Sequence, residues 1–121
     1  MFLRRIAHVN LSIDDVNAAR AFYGGVLGLS PAPRPAEVGR PGCWYTLGDV
    51  ELHLSVEEGI DNARSRRHVA FEVIDMAAAR GRFEAAGVAM DAASPMEGID
   101  RFFVRDPAGN RLEFYARIEG R

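Results

Sequence analysis

His8-Val9-Asn10-Leu11-Ser12-Ile13-Asp14-Asp15 returns, altered but aligned, as His68-Val69-Ala70-Phe71-Glu72-Val73-Ile74-Asp75. The offset from His8 to His68 is 60 residues, and it continues into the next stretch, where Ala18, Ala19 and Arg20 align with Ala78, Ala79 and Arg80. Self-similarity at a fixed period marks one structural unit built twice. Each copy opens with alternation. Val9, Leu11 and Ile13 are apolar between His8, Asn10 and Ser12, and Val69, Phe71 and Val73 alternate with His68, Ala70 and Glu72. A period of two is that of a half-buried strand. An Asp follows to cap a helix, Asp14 or Asp15 in the first copy and Asp75 in the second. Apolar stripes at helical spacing come next: Val16, Ala19, Tyr23, Val26 and Leu27, then Met76, Ala79, Phe83 and Ala86. Gly28 and Gly87 stop the two helices.

Extended segments complete each copy. In the first they are residues 29–33, 44–47 and 50–56, with a Pro- and Gly-rich loop at 34–42 and a tight Gly48-Asp49 hairpin turn. In the second they are residues 88–92, 101–105 and 111–117, with the longer turn Asp106-Pro107-Ala108-Gly109-Asn110. The chain therefore reads as one α+β domain, residues 1–121. It is built from two tandem βαβββ modules, about 4–56 and 67–117, joined by a polar linker at 57–66. One helix covers one face of each mixed or antiparallel sheet. The expectation is helices outside and open sheet faces forming a concave cleft.

Composition narrows the function. The chain is 48% hydrophobic and 26% charged, ordinary for a globular protein. Its longest apolar runs are too short to span a bilayer, and Met1-Phe2-Leu3-Arg4-Arg5 lacks a signal-peptide core, so no membrane is expected. A net charge of −2 without a dense basic run argues against nucleic acid. A single cysteine, Cys43, closes no internal disulfide, which points to the cytoplasm. All 15 basic residues are arginine, so Schiff-base chemistry and a Gly-Lys-Ser/Thr phosphate loop are excluded.

The polar sides of four strands hold the candidates for chemistry. They are His8, Asn10 and Ser12; Glu51, His53 and Ser55; His68 and Glu72; and Arg111, Glu113 and Tyr115. Polar residues on a solvated sheet face mean nothing singly. Jointly, His8 and His68 hold matched positions, and Glu51 is expected to match Glu113 at an offset of 62, the longer turn taking up the extra two residues. His and carboxylate donors suit zinc, nickel, manganese or iron. Two His and one carboxylate leave coordination positions open, as catalysis needs.

The paired modules, Ala-Arg-Ala-Phe-Tyr-Gly-Gly-Val-Leu-Gly-Leu at 19–29 and Phe-Phe-Val-Arg-Asp-Pro-Ala-Gly-Asn-Arg-Leu-Glu-Phe at 102–114 resemble the vicinal oxygen chelate superfamily. That superfamily includes glyoxalase I, extradiol dioxygenases, fosfomycin- and bleomycin-resistance proteins and methylmalonyl-CoA epimerase. The resemblance implies metal ligands at His8, His68 and Glu113. Glu51 or His53, or neither, completes the shell, and one of them serves as the base. It also implies a homodimer whose symmetric sites each draw on both chains, and a small-molecule substrate. Asn10, Trp44, Arg101, Phe103, Arg111 and Tyr115 are the candidate pocket residues. The implied activity is a metal-dependent lyase or isomerase stabilising an enolate. An iron extradiol dioxygenase and a binding protein that sequesters an antibiotic are the rivals.

Overall fold

The computed structural model describes residues 1–118, which form two compact units divided along the chain between Ile60 and Asp61. In the first unit, β1 (His8–Ile13) leads to α1 (Val16–Arg20), which runs on as a π-helical turn, Ala21–Val26; β2 (Ser30–Pro31), β3 (Gly42–Leu47) and β4 (Val50–Val56) follow. The sheet order is β1-β4-β3-β2, with β1 parallel to β4 and the other pairs antiparallel. The second unit opens with a 3₁₀ turn, Asn62–Arg64. It then repeats the plan: β5 (His68–Glu72), α2 (Met76–Ala85), β6 (Asp91–Ala92), β7 (Ile99–Arg105) and β8 (Arg111–Arg117), in the order β5-β8-β7-β6. This is the expected α+β pair of βαβββ modules.

Both helices start in the same way. The Asp15 carboxylate accepts from Ala18 N at 3.1 Å, and the Asp75 carboxylate accepts from Ala78 N at 3.0 Å. Each cap satisfies an amide that the first helical turn leaves without a partner. At the far ends, Gly28 and Gly87 take φ of 71° and 70°, the left-handed region open to glycine. The amides of Leu29 and Val88 then bond back to Tyr23 O at 3.0 Å and Phe83 O at 2.9 Å. These bonds explain why β2 and β6 are two residues long where five-residue strands were expected: the cap consumes Leu29 and Val88. Pro31 and Pro33 lack the amide a longer β2 would need.

Each core lies on the aliphatic side of its sheet. In the first unit Phe22 and Tyr23 are buried over Tyr45, Leu52 and Leu54, with α1 against β3 and β4. The π turn, closed by Leu27 N to Phe22 O at 2.9 Å, adds a residue per turn and brings Phe22 into the stripe beside Tyr23. Gly24 allows this approach, because a Cβ there would stand 3.2 Å from Tyr45 Oη. In the second unit Phe83 of α2 meets Phe102 and Phe114 edge-on, with ring centroids 5.8 and 5.0 Å away. Arg80 reaches from α2 to Asp100 of β7 through two bonds of 3.1 and 2.7 Å. Among the described residues no helix is long and apolar enough to cross a membrane.

Candidate functional site

The polar faces of the two sheets are three-by-three grids of side chains. Pairing sets the grid of the second unit: Arg101 opposite Tyr115, Phe103 opposite Glu113 and Arg105 opposite Arg111 across β7 and β8. Across β8 and β5, Glu72 pairs with Tyr115, Ala70 with Glu113 and His68 with Arg111. Glu113 occupies the centre. Its neighbour Ala70 is small and leaves room over the sheet beside the carboxylate. Glu113 and Tyr115 also line a cavity of about 520 Å³ with Arg117 and the 96–99 loop.

Geometry at the centre ties three predicted residues together. His68 Nε2 stands 3.1 Å from Glu113 Oε1, and Arg101 Nη1 stands 3.4 Å from Glu113 Oε2. His68 Nδ1 lies 3.0 Å from the Arg66 carbonyl oxygen. A carbonyl only accepts, so Nδ1 carries the hydrogen, and in the neutral ring Nε2 presents its lone pair to Glu113. Two acceptors face each other there unless a cation stands between them or the ring is an imidazolium. Two donors each about 2.1 Å from one ion stand roughly 3–3.4 Å apart. A carbonyl on the far imidazole nitrogen is also the usual support of a metal-bound His. His68 and Glu113 therefore fit two positions of a divalent shell and do not complete one. Phe103 borders the group, edge-on to the His68 ring at 5.3 Å.

In the first unit Trp44, His53 and Asn10 share the middle row, and Thr46, Glu51 and His8 the row beside it. Trp44 stacks on His53 with centroids 3.6 Å apart and planes 3° apart; His8 stacks on His53 at 4.1 Å and 16°. His53 Nε2 lies 2.8 Å from Glu51 Oε1, so Nε2 donates and Nδ1 keeps its lone pair. Asn10 accepts from Ser55 Oγ at 2.8 Å. Lone pairs lie in the ring planes, and two nearly parallel imidazoles cannot both aim at one ion. Among the described residues no group of three His, Cys, Asp or Glu is placed to hold a metal ion.

The registers revise one expectation. His8 pairs with Glu51 and His68 with Arg111; Asn10 pairs with His53 and Ala70 with Glu113. The counterpart of Glu113 is therefore His53, at the same offset of 60 as His8 and His68, and the counterpart of Glu51 is Arg111. The longer turn shifts β7 relative to β3 and leaves β8 in register with β4, because Trp44 and Phe103 hold the same grid position.

Sequence reading missed what the Asp106-Pro107-Ala108-Gly109-Asn110 segment does. The Asp106 carboxylate accepts from the Ala108 and Asn110 amides at 2.9 and 2.8 Å, closing the turn. Arg105 Nη1 donates to the carbonyls of Asn62, Ser65 and Gly109, and Asn62 donates to Ala108 O. The segment clasps the 3₁₀ turn and sets the start of β8, upstream of Glu113. Asp-Pro-x-Gly-Asn spelled a turn; its partner is the distant 3₁₀ turn, beyond any local signal. Cys43 is buried, and burial pushes its thiol up, away from the thiolate form that a nucleophile uses.

Two like modules with His and carboxylate donors on their open sheets define a class. The chain belongs to the Glyoxalase/Bleomycin resistance protein/Dioxygenase superfamily, whose model matches residues 5–114. It is similar to a glyoxalase family protein from Bacillus anthracis, 32% identical over 97% of this chain and 98% of that one, with a TM-score of 0.89. Two more distant structures share the fold. TnmS3, an antibiotic binding protein from a Streptomyces species, is 17% identical over 97% and 98% of the two chains, TM-score 0.82. The fosfomycin resistance protein FosX from Listeria monocytogenes, solved with Mn(II) and 1S,2S-dihydroxypropylphosphonic acid, is 15% identical over 96% and 94%, TM-score 0.84. No curated protein sequence matches the chain.

Proposed function

We propose that this protein is a metal-dependent lyase or isomerase of the glyoxalase type, acting on a small substrate with adjacent oxygen atoms. One observation carries the reading: His68 Nε2 and Glu113 Oε1 face each other at 3.1 Å with the far nitrogen of His68 already committed to a carbonyl. His68 and Glu113 are two donors, and a divalent site on protein takes three or more. The third is His8 of a second copy, exposed on its strand, in a homodimer with two symmetric sites.

A divalent ion held by His68, Glu113 and His8 would supply Lewis acidity toward the substrate oxygens when bound. The residues do the rest. Arg101 orients the Glu113 carboxylate from its second oxygen. His53 of the copy that lends His8 is the base: its Nδ1 is open, its ring is clamped between Trp44 and His8, and Glu51 fixes its tautomer from Nε2. The carboxylate then stabilises the imidazolium formed when Nδ1 takes a proton from the carbon beside the chelated oxygens. His53 is not a ligand in this reading, because its plane runs nearly parallel to that of His8.

Metal content of the purified protein, followed by titration of the EDTA-dialysed protein, tests the proposal. Zinc, nickel or manganese at one ion per chain is expected, and His68→Ala weakens uptake by about 100-fold or more. Iron in its place supports dioxygenase chemistry. Uptake by His68→Ala equal to the parent contradicts the shell, and a parent that takes up no metal supports sequestration.

A further inference from the structure

The grid of the second unit carries more cationic charge than its carboxylates use. Arg111 stands over Phe103, its guanidinium carbon 3.6 Å from the ring centroid, and its side chain has no hydrogen bond or ion pair among the described residues. Arg101, over the same ring at 5.6 Å, spends Nη1 on Glu113 and Nη2 on Ser94 O, while its buried Nε has no partner. Arg105 donates to three neutral carbonyls and thereby holds the 3₁₀ turn. Against these three stand Glu113 at the centre and exposed Glu72 at a corner.

The first unit builds the same sheet with Glu51 at the Arg111 position, so the fold does not need a guanidinium there; Arg105, by contrast, serves the 3₁₀ turn that opens the second unit. The same positions there hold Gly42, Thr46 and Glu51 in place of Arg101, Arg105 and Arg111. One sheet face occurs twice, and only one copy carries three guanidiniums. The cation–π contact with Phe103 holds the Arg111 fork in place before any ligand arrives. A planar guanidinium with five donors matches a carboxylate in bidentate fashion.

We infer that the substrate is an organic anion, with a carboxylate adjoining its chelating oxygens, and that Arg111 binds that carboxylate. The inference deepens the proposed function and rests on its placement of the substrate over Glu113. The class is that of small carboxylic acids bearing two further oxygens on neighbouring carbons.

Calorimetric titration of the EDTA-dialysed protein with oxalate tests it, with methylphosphonate as a second probe. The parent binds oxalate, and Arg111→Gln weakens that binding about 10- to 100-fold. Arg111→Lys, which keeps the charge and loses the fork, recovers part of the loss. Methylphosphonate bound more tightly than oxalate replaces the carboxylate with a phosphonate and overturns the class. Equal oxalate affinity in parent and Arg111→Gln, no oxalate binding by the parent, or a loss seen only as a smaller assembled mass each overturns the role of Arg111. The titration is run without metal, so failure of metal uptake would sink the catalytic reading and leave this result standing.

Discussion

His53 is the most constrained imidazole in the molecule. It is covered by Trp44 on one face and His8 on the other and is held by Glu51 at the edge. Its assignment as base separates it from the ligands, and the separation is measurable. His53→Ala should leave Mn(II) affinity within about threefold of the parent, whereas His68→Ala lowers it by about 100-fold or more, both read by titration. A comparable loss in both variants would make His53 a ligand. The sequence singled out these residues because period-two alternation puts every polar side chain of a strand on one face. It could not choose between Glu51 and His53, since they share that face. Pairing register distinguishes them: β1 fixes β4 through a parallel ladder, and no local sequence signal records which residue of β4 lies opposite Asn10.

The elements repay the same reading. Caps, glycine stops and the six longer strands followed from Asp15, Asp75, Gly28, Gly87 and the extended runs, all local signals. The short edge strands and the π turn did not, because each depends on where a helix-end amide finds its acceptor. Packing makes two predictions here. Phe83 of α2 lies against Phe102 and Phe114 and is 3% exposed, so Phe83→Ala should destabilise the protein by about 3–5 kcal/mol in urea unfolding. The Arg80–Asp100 pair is partly exposed, and its contribution is about 0.2–1 kcal/mol after solvent screening. The hydrogen bond from Arg80 holds the Asp100 carboxyl below its usual 3.8. A depressed folded value stabilises above the unfolded one and is lost as pH falls through the folded one. The stability gap between parent and Asp100→Asn should thus persist from pH 7 to about 4 and close below it; a gap that widens in acid would contradict the pairing.

The whole molecule is a duplication whose halves have diverged in charge and chemistry. One sheet face offers stacked aromatic rings and a His–Glu dyad. The other offers a His–Glu pair among arginines. The repeat of 60 made the duplication readable from the sequence, but where the third ligand comes from is a property of the assembly. The central claim is that one copy lends His8 to the His68 and Glu113 of another. Mixing His8→Ala with Glu113→Ala subunits, after partial denaturation and renaturation, and measuring bound Mn(II) tests it most directly. Each variant alone should bind weakly, and the random mixture should recover about a quarter of the parental stoichiometry, one intact site in each heterodimer. A mixture that binds no more metal than the two variants measured separately would contradict a shared centre.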